Sequence, residues 1–210
     1  MSGQKTIIFD FDGTLANSVD LIFDLYNEHA TEFGYDPVAW DEIPELRRMS
    51  YAKAMKTKKV KARRLPKILL TLSKEMHSRM DDVQPYAGIV EVLHELRKLG
   101  FSIGVLTSNQ APLVNTFFKK HSFPLFDFVV SEKTIFGKDK ALKRIIKRYG
   151  LDSSQIIYIG DEPRDVTASR KAGVRVIGVS WGIAGLEGFE KVIPDTLVHT
   201  PGELLAIIKQ

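Results

Sequence analysis

After residue 85 the sequence alternates between two apolar patterns, and this alternation restricts the fold more than any other feature. Short β-rich apolar runs, such as 101–106 and 156–159, alternate with segments whose apolar residues recur every three or four positions. Strands separated by helices pair in parallel, and the crossover helices cover both faces of the sheet. The pattern therefore predicts an α/β fold with a parallel sheet.

The predicted elements can be placed along the whole chain. The pattern predicts strands at 6–9, 101–106, 128–130, 156–159, 174–179 and 197–198. It predicts helices at 18–33, 89–99, 112–120, 138–149, 163–172 and 202–209. Leu99 and Tyr149 are expected on the inward faces of their helices, and Gly100 and Gly150 are expected to end them.

A segment of different character separates the first strand from the alternating region. Residues 36–84 contain no convincing strand but include three prolines, a basic run and a helical pattern from Ile68 to Met80. We therefore predict a core made of residues 1–15 and 85–210, with a helical insertion at 16–84. A chain of 210 residues is long enough for one domain that carries such an insertion.

Composition excludes several classes of protein. Apolar residues make up 44% and charged residues 27%, which is typical of a globular domain rather than a disordered or fibrous one. The absence of cysteine excludes disulfides, thiol catalysis and thiolate metal sites. The apolar run before Asp10 is too short for a signal peptide, and no run approaches the ~20 residues of a membrane helix. We expect a cytoplasmic protein that does not bind membranes.

The net charge of +4 is distributed unevenly. Residues 47–67 contain ten lysines and arginines and no acidic residue, and the rest of the chain has 20 basic against 26 acidic residues, a net charge of −6. The basic segment is either a place for anions or a solvated helix face, and the sequence favours neither.

Oxygen-bearing side chains follow three of the predicted strands directly. They are Asp10 and Asp12 after the first strand, Thr107, Ser108 and Asn109 after the second, and Asp161, Glu162 and Asp165 after the fourth. Ligands of parallel α/β sheets bind at the carboxyl ends of the strands, so these residues are expected to face one crevice.

Carboxylates that approach one another closely call for a cation. Hard oxygen ligands, with no cysteine and only scattered histidines, favour Mg²⁺ over zinc. A calcium-binding loop of the helix–loop–helix type is excluded, because that loop needs glycine at position six and glutamate at position twelve. Counted from Asp10, Gly13 is at position four and Leu21 is at position twelve.

Four segments together resemble the motifs of the haloacid dehalogenase superfamily, and most closely its phosphoglycolate-phosphatase-like hydrolases. Residues 10–15 read Asp-Phe-Asp-Gly-Thr-Leu, 106–109 read Leu-Thr-Ser-Asn, 137–140 read Gly-Lys-Asp-Lys, and 160–165 read Gly-Asp-Glu-Pro-Arg-Asp. The resemblance implies a Rossmann-like core with an inserted α-helical cap. It also implies a Mg²⁺-dependent phosphatase that hydrolyses a small phosphorylated metabolite through an aspartyl-phosphate.

The resemblance assigns roles to individual residues. Asp10 would be the nucleophile, and Asp12 would protonate the leaving alcohol and then deprotonate water, which suits phosphate esters rather than haloacids. Thr107 would bind the phosphoryl oxygens, with Ser108 and Asn109 beside it, and Lys138 would neutralise phosphoryl charge and restrain Asp10. Lys140 is the rival for that last role, although Lys138 directly follows Gly137 and is preferred.

The metal site and the cap complete the predicted site. Asp161 would join Asp10 and the backbone carbonyl of Asp12 in binding Mg²⁺, and Asp165 would ligate the metal or support the site from behind. Arg47 and Arg48 in the cap are expected to bind a carboxylate of the substrate. Two positions depart from the subgroup: Asn17 replaces a common aspartate, and Glu162 replaces a small hydroxyl residue, where we expect it to start a helix rather than bind metal.

Other functions remain open on the sequence alone. The basic segment permits a nucleic-acid or nucleotide end phosphatase, but it lacks interleaved aromatic residues, so nucleic acid is not the expected partner. A phosphomutase would use the same chemistry with a sugar in place of water. A non-catalytic binding protein on the same fold is the third alternative. The oligomeric state and the physiological substrate cannot be derived from the sequence.

Overall fold

A computed structural model describes residues 5–132 and 137–210. Within these ranges, six strands form one parallel sheet in the order β3-β2-β1-β4-β5-β6. The strands are β1 (Thr6–Phe9), β2 (Ser102–Thr107), β3 (Phe128–Ser131), β4 (Ile156–Gly160), β5 (Arg175–Val179) and β6 (Thr196–Val198).

Helices connect the strands and cover the sheet. In the described residues the α-helices are α1 (Val19–Glu28), α2 (Ala30–Phe33), α3 (Ile43–Arg47), α4 (Tyr51–Thr57), α5 (Leu65–Ser78), α6 (Ile89–Lys98), α7 (Ala111–Lys120), α8 (Lys138–Tyr149), α9 (Pro163–Ala172) and α10 (Pro201–Ile208). Short 3-10 turns, such as Trp40–Glu42 and Glu187–Phe189, lie between them. The prediction of an α/β fold with a Rossmann-like parallel sheet is confirmed.

Strand alternation divides the interior into two cores, one on each face of the sheet. Ile7 and Phe9 of β1 point into one core, which α6, α7 and α10 cover, and Ile8 points into the other, which α8 and α9 cover. All three residues are fully buried. Successive side chains of a strand point to opposite faces, so a strand covered on both faces is apolar at every position, as 6–9 nearly is.

The register of the sheet brings three strand ends to one level. Phe9 pairs with Val105 of β2 and with Ile159 of β4. Asp10, Thr107 and Asp161, which come one or two positions further along these three segments, therefore lie beside one another at the carboxyl edge of the sheet. This edge carries the acidic residues singled out by the sequence.

The segment between β1 and α6 contains helices α1 to α5 and no strand, in agreement with the pattern of residues 36–84. This segment has a small core of its own, which consists of Ala30, Phe33, Tyr35 and Ile68. Leu25 of α1 and Met76 of α5 belong to the larger core, the one that contains Ile7 and Phe9. The division of the chain into a core and a cap at residues 16 and 84 stays a prediction.

Three details of the predicted elements are wrong. The helix predicted over 18–33 is divided at His29, whose φ of −93° and ψ of 0° lie outside the helical region. Leu99 is 50% exposed because it stands just beyond the last turn of α6. Tyr149 is 39% exposed, since its ring stacks on Phe128 at 4.6 Å between centroids instead of entering the core.

The predictions about a leader and about membrane helices can be compared with the structure only over the described residues. Residues 1–4, on which the prediction about a leader partly depends, lie outside them. Among the helices that the structure describes, none has both the length and the apolar character needed to cross a bilayer.

Candidate active site

A buried lysine joins two aspartates at the carboxyl edge of the sheet. Asp10 follows β1, and its carboxylate accepts a hydrogen bond from the backbone N–H of Phe11 at 2.8 Å. The Nζ of Lys138, in the first turn of α8, donates to Oδ2 of Asp10 and to Oδ1 of Asp165, the latter at 2.6 Å. All three residues are buried. The structure thus brings together residues from three separate segments of the chain.

Asp161 completes this group of acidic residues. It follows β4 and is fully buried, and its two oxygens accept hydrogen bonds from the Thr14 hydroxyl at 3.1 Å and from the Ile183 backbone N–H at 2.7 Å. Ligand oxygens of Asp10, Asp161 and Asp165 all lie within 4.8 Å of one another. This spacing is suitable for carboxylates that share one cation.

Positive charge near the three aspartates compensates only part of their negative charge. Burial, followed by the charges of Asp10 and Asp165, raises the pKa of Asp161 to about 8. Burial also raises the pKa of Asp10, against the opposing effect of Lys138. Burial alone would lower the pKa of Lys138, but Asp10 and Asp165 together raise it well above its usual range. Lys138 binds Asp10 and Asp165 but not Asp161, so the three carboxylates form a donor set that fits a divalent cation bound by oxygen.

Asp12 points away from this cluster and is held by two neutral groups. Its carboxylate accepts hydrogen bonds from the Ser18 hydroxyl at 3.1 Å and from the Asn109 side-chain amide at 2.6 Å. Burial and the nearby charge of Asp10 raise the pKa of Asp12 to about 6. The backbone carbonyl of Asp12 accepts no hydrogen bond from the residues described in the structure, so this oxygen is free to act as a ligand.

The three residues predicted to follow the second strand differ in how exposed their side chains are. Thr107 is 1% exposed, and its hydroxyl oxygen accepts a hydrogen bond from the Asn109 backbone N–H at 3.0 Å. The proton of that hydroxyl remains available for another acceptor. Ser108 is exposed, whereas Asn109 is half-buried and reaches Asp12.

The start of α9 uses Glu162 to neutralise an arginine. Arg164 donates from Nε to Oε1 of Glu162 at 2.7 Å. Burial raises the pKa of Glu162 to about 7, and Arg164 opposes this shift. The backbone N–H of Glu162 is bound by Oδ2 of Asp165 at 3.1 Å. Both oxygens of Asp165 are thus engaged, one by this N–H and one by Lys138.

Three of the predicted basic residues lie outside the carboxylate cluster. Lys140 is exposed on α8, because it lies two residues after Lys138 and therefore on the opposite side of the helix. Arg47 donates to the backbone carbonyls of Ile183 at 2.8 Å and Gly182 at 3.2 Å. Arg48 pairs with Glu190 at 2.9 Å, with both side chains 48% exposed. The two arginines therefore link α3 to the segment that follows β5.

Acidic residues from elsewhere balance part of the basic segment 47–67. Besides the pairs of Arg47 with Glu187 and of Arg48 with Glu190, its ion pairs are Lys58–Glu42 at 2.8 Å, Lys59–Asp36 at 2.9 Å and Lys67–Glu32 at 3.7 Å. Exposed cations without an ion pair among the described residues are Lys53, Lys56, Lys61 and Arg63. Much of the segment is thus a paired, solvated surface.

Sequence reasoning missed a group of residues that hold the aspartates. Ser18 and Thr14 have side chains that could have been noticed, since both lie close to the first motif. The contribution of Ile183 is a backbone N–H, which leaves no trace in the side-chain pattern. A weaker signal existed in the Trp181–Gly182 pair, because these residues follow the carboxyl end of β5.

The family can now be stated from comparison with known proteins. The model for haloacid dehalogenase-like hydrolases matches residues 7–179, which include every residue of the cluster. The chain belongs to this family. A phosphoglycolate phosphatase from Synechococcus elongatus is 30% identical over 208 residues, covering 99% of this chain and 98% of that protein. The pyrophosphatase PpaX of Bacillus velezensis is 28% identical over 96% of this chain and 94% of its own.

These matches confirm the resemblance and the prediction of a hydrolase of the phosphatase type. Solved structures agree on the fold. A haloacid dehalogenase-like hydrolase from Streptococcus pneumoniae superposes with a TM-score of 0.79 at 20% identity, covering 99% of this chain and 100% of that one. CbbY from Rhodobacter sphaeroides, crystallised with phosphate, gives a TM-score of 0.70 at 20% identity, with 96% of each chain covered.

Proposed function

We propose that this protein is a Mg²⁺-dependent phosphatase that hydrolyses a small, phosphoglycolate-like phosphate monoester through an aspartyl-phosphate. One observation carries the proposal: the Asp10 carboxylate is buried at a strand end, bound to Lys138, and shares a 4.8 Å neighbourhood with Asp161 and Asp165. The most similar relatives described above are a phosphoglycolate phosphatase and a pyrophosphatase. A cytoplasmic location is part of this proposal.

Asp10 is the proposed nucleophile. The bond from Lys138 keeps one oxygen of the carboxylate in place, and the Phe11 N–H holds the other. In the first step a bond forms between a carboxylate oxygen and phosphorus, while the bond from phosphorus to the ester oxygen breaks. Lys138 balances the negative charge of the phosphoryl group during this transfer.

Asp12 is the proposed acid and base. In its protonated form it donates its proton to the leaving oxygen, and as the resulting carboxylate it then takes a proton from water. The water oxygen bonds to phosphorus, the acyl-phosphate bond breaks, and the Asp10 carboxylate is restored. A pKa of about 6 suits both steps near neutral pH. Ser18 and Asn109 keep the Asp12 carboxyl group oriented between the two steps.

Asp10, Asp161 and the carbonyl of Asp12 are the proposed ligands of Mg²⁺. When bound, the ion neutralises the carboxylates and the phosphoryl oxygens. Asp165 is proposed either to join these ligands or to support the site through its hydrogen bonds from Lys138 and from the Glu162 N–H. Thr107 is proposed to donate its hydroxyl proton to a phosphoryl oxygen, with Ser108 and Asn109 beside it. Substrate binding by Arg47 and Arg48 stays a prediction.

The experiment measures phosphate release from a panel of small phosphate esters, with and without EDTA. We expect turnover by the wild type, loss with EDTA or with Asp10→Asn, and no change with Asp81→Asn, whose side chain is 87% exposed. Turnover by Asp10→Asn at the wild-type rate would contradict the nucleophile assignment. No turnover by a folded, Mg²⁺-binding wild type would contradict the hydrolase proposal itself.

The role of Asp12 has a separate test, which depends on the leaving group. Alkoxides need a proton from the enzyme much more than stabilised phenolates do. Asp12→Ala is therefore expected to lower the first-step rate far more for ethyl phosphate than for p-nitrophenyl phosphate. Equal losses for both esters would show that Asp12 does not protonate the leaving oxygen.

A further inference from the structure

A cleft of about 270 Å³ lies between the helical segment and the residues that follow β5. Its polar and aromatic lining is Asn17, Asp20, Phe23, Trp40, Arg47 and Trp181, and the rest of the lining is aliphatic. At ~30 Å³ per water molecule this volume corresponds to about nine waters. A two-carbon leaving group such as glycolate would fill only part of it.

Shared residues connect the cleft to the carboxylate cluster. The indole N–H of Trp181 donates to the backbone carbonyl of Thr14 at 3.2 Å, and the Thr14 hydroxyl binds Asp161. Arg47 binds the carbonyl of Ile183, whose N–H binds the other oxygen of Asp161. The cleft therefore borders the site proposed for the phosphoryl group, where a leaving group would extend.

Aromatic side chains from two segments line this cleft: Phe23 and Trp40 from the helical segment, and Trp181 from the residues that follow β5. Phe23 and Trp40 contact each other from the helical segment, with 6.1 Å between ring centroids. Trp181 contacts Tyr86 from the core, also at 6.1 Å. Trp40 is 63% exposed although it is the largest apolar side chain of its region. Exposed aromatic faces of this kind suit a ligand with an apolar face.

The charges that line the cleft do not favour an anionic group in addition to the phosphoryl group. Arg47 already binds two carbonyls, and its Nη1 lies 4.0 Å from Oε2 of Glu187, which offsets its charge. Asp20 is exposed, and neither it nor the Asn17 side chain has a partner among the residues that the structure describes. An uncompensated carboxylate at the rim repels a carboxylate on a substrate. Hydroxyl groups, in contrast, can bind both Asn17 and Asp20.

We infer that the leaving group is an uncharged, hydroxylated ring, as in a monosaccharide phosphate, rather than a carboxylate. The inference rests on the proposed phosphatase function, but it replaces the glycolate-like leaving group of that proposal with an uncharged ring. The C–H faces of the ring pack against Trp40 and Trp181, and its hydroxyls bind Asn17 and Asp20. Aromatic packing on one side and a carboxylate with an amide on the other match the two kinds of surface that such a ring presents.

The kinetic test compares glucose 6-phosphate with phosphoglycolate in the wild type and three variants. We expect kcat/KM to be at least tenfold higher for glucose 6-phosphate, and we expect Trp40→Ala to reduce this ratio at least tenfold. Asp20→Asn should raise kcat/KM for phosphoglycolate severalfold by removing the repulsion. Tyr51→Ala is the matched control, because Tyr51 is a 52% exposed aromatic residue of the same helical segment outside the cleft. A preference for phosphoglycolate, or equal effects of Trp40→Ala on both esters, would overturn the inference.

A binding measurement keeps the inference testable even if no ester is hydrolysed. The chain contains two tryptophans, and both line the cleft, so its tryptophan fluorescence reports directly on occupancy. In Asp10→Asn, glucose 6-phosphate is expected to change the emission saturably and phosphoglycolate to bind at least tenfold more weakly. Trp40→Phe should retain part of the glucose 6-phosphate signal through Trp181. Equal binding of both esters, or no response to the sugar phosphate, would refute the ring-binding cleft independently of turnover.

Discussion

Gly13 provides the sharpest test of how the acidic cluster is packed. Its φ of +68° lies in the left-handed region, and a Cβ added there would stand 2.7 Å from Cγ of Asp161. Gly13→Ala therefore introduces backbone strain and also displaces the Asp161 carboxylate. Gly173→Ala is the matched control, because Gly173 has a φ of +71° and an added Cβ would find no atom within 4 Å.

The two contributions can be separated in magnitude. The left-handed backbone costs roughly 1–2 kcal/mol for a residue with a Cβ, and this applies to both variants. Displacement of Asp161 weakens its hydrogen bonds from Thr14 and Ile183, and a buried donor that is left without its acceptor costs about 1–3 kcal/mol. We expect a loss of unfolding free energy of about 1–2 kcal/mol for Gly173→Ala and about 3 kcal/mol or more for Gly13→Ala.

The assay combines urea unfolding with calorimetric titration of Mg²⁺. Gly13→Ala is expected to weaken Mg²⁺ binding at least tenfold, while Gly173→Ala retains the wild-type affinity, because Gly13 lies against Asp161 and Gly173 does not. Equal stabilities of the two variants, combined with unchanged Mg²⁺ affinity in Gly13→Ala, would refute the argument that this glycine makes room for the carboxylate.

Three further predictions concern buried and paired charges. Lys138→Met should lower the free energy of unfolding by about 3–5 kcal/mol, because it leaves two buried carboxylates without their cation, whereas Lys140→Met should change it by less than about 0.5 kcal/mol in urea melts. In EDTA at pH 7, Asp161→Asn should unfold at the same urea concentration as the wild type or at a higher one. The reason is that the pKa of Asp161 is raised to about 8, so that its ionised form destabilises the fold. Saturating Mg²⁺ should reverse the order of the two proteins. The carboxylate of Glu75, whose Oε1 lies 2.9 Å from Nε2 of His29, raises the pKa of His29. This pair therefore stabilises the fold fully below about pH 6.5 and loses its effect as pH rises through the raised pKa. The destabilisation caused by His29→Gln in urea melts should therefore be larger at pH 6 than at pH 9, and a pH-independent difference would contradict it.

The periodicity of the sequence predicted the sheet because its inner strands β1, β2 and β4 are buried on both faces. A strand such as β1 must be apolar at nearly every position, and an amphipathic helix such as α8 must repeat its apolar residues along one face. Helix α8 accordingly begins and ends at the predicted residues, Lys138 and Tyr149. The order of the strands did not follow from these patterns, since local periodicity contains no information on which strands become neighbours.

Helix ends and half-exposed side chains were less predictable. His29 interrupts the predicted first helix at a point where its ring reaches both Glu32 and Glu75. Those partners lie on different helices, so the interruption depends on packing between helices. The exposure of Tyr149 has a similar origin, because its position depends on stacking against Phe128 of another element.

The candidate site shows the same division between local pattern and spatial arrangement. Strand-end chemistry directed attention to Asp10, Asp12 and Asp161, since parallel strands present their carboxyl ends to one crevice. The surroundings of these aspartates could not be derived in the same way. Asp161 is held by a backbone N–H of residue 183, and Arg47 binds backbone carbonyls, and backbone groups are identical at nearly every position of a sequence.

The alternation of strands and helices, the oxygen-bearing side chains at three strand ends and the family resemblance were predictable from the sequence, because they depend on residue type and local spacing. Three features became visible only in the folded chain: Lys138 joins Asp10 to Asp165, Ser18 and Asn109 hold Asp12, and aromatic side chains of two segments line one cleft. Lys138 and Asp10 are 128 positions apart along the chain. Contacts over such separations form when the whole sheet and its covering helices pack, and no local pattern specifies them.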